Sequence, residues 1–190
     1  MAWGIFMLIV LLGAGNGLRN GIMLNFNDAS TNYVQLWPGR TAEPYQGLQA
    51  GRRIKMDSTI SSYLEDEFSE ISNVSPLISR WDGNFYYEGD YAPGVVQGVN
   101  TSYPKIETVK IYSGDGRFLN DVDIRKARKL IVLHSRTAGL LFKGKNPLGE
   151  YVTFDNIMYN VVGVYHDNNM SQTQNSCIPI STAQRTYTPE

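Results

Sequence analysis

Cysteine occurs once, at Cys177, which excludes an internal disulfide and a thiolate metal cluster within this sequence. Its neighbours Ile178, Pro179 and Ile180 are apolar, so it reads as a small buried strand residue rather than a reactive thiol. Histidine is nearly as rare: His134 and His166 stand 32 positions apart, and each reads as a surface or capping residue. No Gly-x-Ser-x-Gly, His-x-x-x-His or Walker sequence occurs, so the chemistry those motifs perform is not expected here. Charge is also scarce, with 18% of residues charged against roughly 25% in soluble domains. The 17 basic and 18 acidic residues leave a net charge of −1, which denies the chain the basic field that phosphate backbones require; no nucleic-acid partner is expected. Asp115, Asp121 and Asp123 lack the alternating spacing of a calcium loop, and Glu65-Asp66-Glu67 reads as a solvated helix face. No metal, cofactor or catalytic residue is assigned, and the chain reads as a non-enzyme.

What is present is concentrated at the start. Met1 to Leu18 carries no charge, and as a helix it would span roughly 27 Å, close to the hydrocarbon thickness of a bilayer. Gly13, Gly17 and Gly21 recur every fourth residue. That puts them on one helix face, where a second backbone can approach closely, as between membrane helices. A cleaved signal would want a basic stretch before the apolar run, which is lacking, and Gly13-Ala14-Gly15-Asn16-Gly17 is a loose cleavage site. A dinucleotide fingerprint would want a third glycine where Leu18 or Asn20 stands. The reading is the distal part of a membrane helix, continuing to Phe26 as a stalk and stopping within Asn27–Thr31.

Beyond it the pattern changes to short strands and helices with many glycines and tyrosines. Strands are expected at Asn32–Trp37 and Arg52–Met56, and Asp57 is expected to cap a helix over Ser58–Glu70 with Ile60, Tyr63, Leu64 and Phe68 on one face. Val74–Val99 reads as a meander with turns at Asp82-Gly83-Asn84 and Glu88-Gly89-Asp90. Pro104 opens a short helix over Tyr103–Tyr112, and Ser113–Gly116 is a turn. A buried strand at Lys129–Leu133 leads into a helix at His134–Phe142 that faces in through Ala138, Leu141 and Phe142. A hairpin around Asp155-Asn156 follows, then a strand at Cys177–Ile180 and a helix capped by Ser181. The fold class is α+β.

Four stretches, in this order, resemble the periplasmic core domain of MacB/FtsX-type ABC transporter permeases. They are Ala2–Leu18, Gly116-Arg117-Phe118-Leu119-Asn120-Asp121-Val122-Asp123, Leu130–Leu133 with Leu141-Phe142, and Asn146-Pro147-Leu148-Gly149 leading to Tyr159-Asn160-Val161-Val162-Gly163-Val164. The resemblance implies an extracytoplasmic domain after the first membrane helix. It would comprise a porter-like subdomain (32–56 and 130–190, incomplete at its C-terminal side) and an inserted small α/β subdomain (57–129), after a membrane helix and stalk at 1–31. It further implies an inner-membrane permease that relays ATP-driven motion to periplasmic cargo. The implied partners are a cytosolic ABC ATPase and a second permease copy, with a periplasmic adaptor and an outer-membrane channel as further candidates. A docking platform that controls a periplasmic hydrolase or sensor is the alternative. Gly13, Gly17 and Gly21 would form the packing face of the lever. The aromatics Trp81, Phe85, Tyr86, Tyr87 and Tyr91 could line a hairpin surface that meets a partner or an amphiphilic cargo. Of these Trp81, Phe85 and Tyr87, with Arg125 and Lys126, are the candidate partner surface, against the simpler reading that alternate aromatics pack a core and basic runs face solvent.

Overall fold

The computed structural model describes residues 2–27, 33–54, 56, 59–107, 109–166 and 174–187. The first helix, α1 (Ala2–Asn27), is followed by α2 (Thr59–Glu67) and by two long strands, β1 (Ile78–Tyr87) and β2 (Asp90–Val99). Two short helices come next, α3 (Tyr103–Ile106) and α4 (Asp121–Arg125), then β3 (Leu130–His134) and α5 (Ser135–Phe142). The hairpin β4 (Tyr151–Phe154) and β5 (Ile157–Tyr165) precedes β6 (Asn175–Pro179) and α6 (Ile180–Tyr187).

The six strands close into a barrel in the order β1-β2-β6-β3-β5-β4. Two of its pairings are parallel, β2 with β6 and β3 with β5, and the barrel is closed by Phe85 and Tyr86 of β1 opposite Phe154 and Thr153 of β4. Closure removes the unpaired edges that an open sheet of these strands would expose. Successive residues of β3 go to opposite faces, as pleating requires. Ile131 and Leu133 join one buried cluster with Phe85, Val96, Phe154 and Tyr159, covered by α5 and α6. Val132 joins a second with Val99, Leu119, Tyr165 and Cys177, beneath the 103–119 connection. A mixed α/β architecture is thus present, and Cys177 is a buried strand residue as read.

Several expectations need correction. β1 and β2 lie in the stretch expected to form an inserted subdomain, yet they share one sheet with strands from 130–190, so the sheet does not break at residue 130. Asp82-Gly83 lies inside β1, with Asp82 in a bulge beside Trp81 and Gly83 paired with Gly94, rather than at a hairpin turn. Asp82 takes φ 63°, the register against β2 shifts between Arg80 and Gly83, and the strand then resumes. Residues 33–39 join no strand, and among the described residues of 52–56 the expected strand reduces to a single bridge between Arg53 and Arg40. The helix begun at Tyr103 ends at Ile106, where Glu107 turns to extended backbone, and Val109 and Ile111 beyond it pack against the second cluster. The expected helix stop after Asn27 and the Asp57 cap fall on residues outside those described.

Gly163 shows why the sequence breaks its valine run. A Cβ there would lie 2.3 Å from the Arg117 carbonyl oxygen, so the 113–117 turn can cross β5 closely only over a glycine. The same residue sits at the β3–β5 register shift. Gly149 acts through conformation instead: it takes φ +85° with open space around it and lets the chain turn into β4.

Candidate functional site

Among its described side chains, the apolar half of α1 shows no sheltered side. Trp3 is 71% exposed, Leu11 69% and Ile5 60%, and Phe6, Leu8 and Leu12 are similarly open. A helix that is hydrophobic all round is a buried or membrane element, not an amphipathic surface helix. Its uninterrupted apolar block runs from Ala2 to Leu12, about 17 Å at helical rise. Among the described residues no helix is long and apolar enough to cross a membrane. Gly13 and Gly17 have open space at the Cβ position, so that side of the helix is clear of other atoms of this chain. Gly21 lies within α1, in the part whose side chains are not described.

The candidate aromatic surface divides by strand parity. Phe85 is fully buried, its ring 4.7 Å from that of Phe154, and is withdrawn from the partner surface: closing the barrel turns it inward. Tyr87 is half-buried, its ring 4.2 Å from Phe142 of α5. Trp81 lies in the bulge with Asp82, between the Arg80 and Gly83 pairings, and is half exposed. Of the hairpin aromatics, Tyr86 and Tyr91 face outward as expected: Tyr86 is opposite Tyr91 on β2 and Thr153 on β4, with Met158 opposite Thr153 on β5. Tyr86, Tyr91 and Met158 are all exposed and form one row across four strands, next to exposed Tyr151. Tyr151 and Met158 were missed; the alternation of the two hairpin strands carries their signal. The tip of the β1–β2 hairpin is tied to the end of α5 by Lys143–Asp90 at 2.6 Å and Lys145–Glu88 at 3.0 Å.

Arg125 and Lys126 are exposed where α4 ends. Their neighbour Arg128 turns back to Asp123, which is fully buried. Arg117 Nη1 donates to Asp123 Oδ2 at 2.6 Å, Arg128 Nη1 to Oδ1 at 3.3 Å, and the Asn120 backbone N–H to Oδ2 at 3.1 Å. Asn120 accepts from the Asp123 N–H in return, completing a capping box on α4. Burial pushes the Asp123 carboxyl up, but Arg117, the Asn120 amide and Arg128 outweigh it and hold the group below its usual range. Ser181 Oγ donates to the Ile124 carbonyl and Thr182 Oγ1 to that of Arg128, at 2.8 Å for Thr182, which fastens this loop to α6.

His134 caps α5, its Nδ1 accepting from the Arg136 N–H at 3.1 Å. His166 Nε2 lies 3.0 Å from Asp115 Oδ2 at the surface. Beside α6 an open cavity of about 490 Å³ is lined by Arg80, Asp155, Ile157 and Tyr187. Arg80 donates to Asp155 across it at 2.7 Å. The Tyr187 hydroxyl meets that of Tyr159 at 3.0 Å, and burial raises both phenols above their ordinary range. Among the described residues no three metal-ligating side chains cluster.

A family model for the MacB-like periplasmic core domain matches residues 1–190. The chain belongs to that family. Among its relatives, the macrolide export ATP-binding/permease protein MacB of Bartonella henselae is 24% identical over 189 residues, covering 97% of this chain and 28% of that protein. The protein of the same name from Syntrophobacter fumaroxidans is 23% identical over 161 residues, covering 85% of this chain and 22% of its own length. This chain therefore spans about a quarter of the length of the curated relatives it matches. The crystal structure of the periplasmic region of MacB from Actinobacillus actinomycetemcomitans superposes with a TM-score of 0.67 at 24% identity, over 87% of this chain and 73% of that one. The fold is shared at that level.

In this MacB-like domain the Gly116–Asp123 stretch is explained by the geometry. Gly116 permits φ +86° against the Val162 carbonyl, Leu119 enters the second cluster, and Arg117 and Asp123 meet as an ion pair. The motif is a staple that holds a loop onto the barrel.

Proposed function

We propose that this MacB-like periplasmic core domain is the extracytoplasmic relay of an ABC permease in the inner membrane. ATP-driven motion of membrane helices would pass through α1 to the barrel and move a cargo or a partner outside the membrane. The observation that carries this reading is the all-round apolar face of α1 at the start of a MacB-like domain. Leaving each such side chain in water rather than burying it costs about 1.5–3 kcal/mol, so lipid or a second helix is the favoured environment. Relatives named as macrolide export ATP-binding/permease proteins support an ATPase domain or partner and an export role. The cargo would be an antimicrobial, a lipoprotein, a peptide or a lipid. A second permease copy would pack along Gly13, Gly17 and Gly21, and a periplasmic adaptor and an outer-membrane channel would complete an efflux route.

Gly17→Leu in the full-length transporter tests the lever. The bulky side chain should cut transport at least fivefold while the thermal unfolding of the domain stays unchanged. Unimpaired transport would refute the relay. The exposed Tyr86, Tyr91 and Met158 row favours a second reading, a docking platform for a periplasmic protein. Replacing the row by serine would then abolish partner capture and leave export intact.

A further inference from the structure

We infer that the barrel is two ββ–β–α halves that swap their third strands about a pseudo-two-fold axis, and that the swap makes it one rigid head that travels without opening. This rests on the relay reading and deepens it. The first half is β1, β2, β3 and α5, and the second is β4, β5, β6 and α6. Each opens with an antiparallel hairpin whose two-residue turn has positive φ at both positions, Glu88-Gly89 in one and Asp155-Asn156 in the other. Each ends in a strand of 5 residues that runs without a break into a helix of 8. Thr137-Ala138 and Thr182-Ala183 hold the third and fourth positions of those helices, and all four residues are buried.

Among the described residues, β3 pairs with β5 and β6 and with no strand of its own half, while β6 pairs with β2 and β3 and with none of its own. Both swapped pairings are parallel. One runs from Val95 opposite Asn175 to Val99 opposite Pro179, the other from Leu130 opposite Asn160 to His134 opposite Tyr165, with its shift after Ile131. The remaining two pairings join equivalent strands at equivalent residues, as an axis through them requires. Tyr86 and Thr153, each two residues before its turn, face each other, as do Val132 and Cys177, each the middle residue of its strand. Side-chain bonds cross between the halves in the same reciprocal way. Thr137 Oγ1 donates to Gln174 Oε1 at 3.1 Å, just before β6, and Thr182 Oγ1 to the Arg128 carbonyl at 2.8 Å, just before β3. Neither half can leave the other without breaking every ladder bond of both third strands. Nor can the β1–β4 contact part without exposing the fully buried Phe85 and Phe154 to water. A displacement delivered to one strand is therefore carried by all six.

Val132→Cys in the full-length transporter places a thiol opposite Cys177 at the axis. Paired residues of antiparallel strands have Cα atoms about 4.5–5.5 Å apart, a separation that a disulfide spans. The bond is formed with oxygen and copper-phenanthroline, and transport is measured before and after reduction. The bridged protein should transport within twofold of the same protein reduced. A fivefold loss that reductant reverses would overturn the rigid head, and failure of the bond to form would overturn the pairing at the axis. Hydrogen exchange of the full-length protein, read by mass spectrometry, is the second measurement. Ile131→Val in β3 should speed exchange of β2, β5 and β6 by one common factor of about three to ten. Faster exchange in β5 with β2 unmoved would overturn the interlock. Gly17→Leu separates this from the relay reading. If the halves exchange together while that variant transports normally, the relay falls and the interlocked barrel stands; if they exchange independently while it loses transport, the interlock falls and the relay stands.

Discussion

Replacing Asp123 by asparagine probes the staple at its most buried atom. The carboxylate is fully buried, accepts from Arg117 at 2.6 Å, Arg128 at 3.3 Å and the Asn120 amide at 3.1 Å, and closes the α4 capping box. Breaking a buried ion pair usually costs about 3–5 kcal/mol because the abandoned partner stays buried. Here Arg117 and Arg128 are each close to half exposed and can turn to water, which removes much of that penalty. What is lost is one short charge-assisted hydrogen bond, one long one and part of a cap, about 2–3 kcal/mol together. For a domain of this size that lowers Tm by about 4–12 °C. The pH dependence has a fixed sign. Because the folded carboxyl titrates below its unfolded value, its contribution is complete above about pH 4 and fades as pH falls through the lower, folded value. Thermal unfolding of both proteins from pH 7 to pH 2.5 should therefore give curves well separated at neutrality that converge in acid. A separation below about 1 °C at pH 7, or one that is constant with pH, would refute the account of the staple.

Gly98→Ala should destabilise by about 1–3 kcal/mol, because the new Cβ would lie 2.2 Å from the Ala183 Cβ. Adding Ala183→Gly should recover part of the loss in denaturant titrations, as a double-mutant cycle with favourable coupling. Gly163→Val should be more damaging than Gly149→Ala, since the first meets the Arg117 carbonyl and the second only a strained φ; urea midpoints of the two variants give the order. Lys143→Gln with Lys145→Gln should leave the urea midpoint nearly unchanged, as both ion pairs are exposed and screened by solvent. Phe142→Leu, which removes the ring against Tyr87, should cost about 1–2 kcal/mol in the same titration.

What was legible in the sequence was local. The His134 cap, the Asp155-Asn156 hairpin, the Gly163 approach and the buried Cys177 are each set by a few neighbouring residues, and each is found where the pattern places it. Choice of strand partner was not legible: pleating tells which side chains share a face but not that Phe85 meets Phe154 some seventy positions away. Asp82-Gly83 shows the limit most sharply. The same dipeptide suits a two-residue turn and a bulge, and what selects the bulge is the Phe154 ring lying where a Gly83 Cβ would be. That choice decides the surface. With a turn at Asp82, no strand runs through to fix which of the following residues face out. With a bulge, β1 resumes at Gly83, so Gly83 and Phe85 go into the core and Tyr86 goes out. Of the five hairpin aromatics, Phe85 and Tyr87 take the inward phase downstream of the bulge while Tyr86 and Tyr91 take the outward one, as alternate core packing leads one to expect. The outward row of Tyr86, Tyr91 and Met158 follows once that single extra residue is counted, whereas the Arg117–Asp123 staple depends on a separate long-range approach, the crossing of β5 by the 113–117 turn over Gly163.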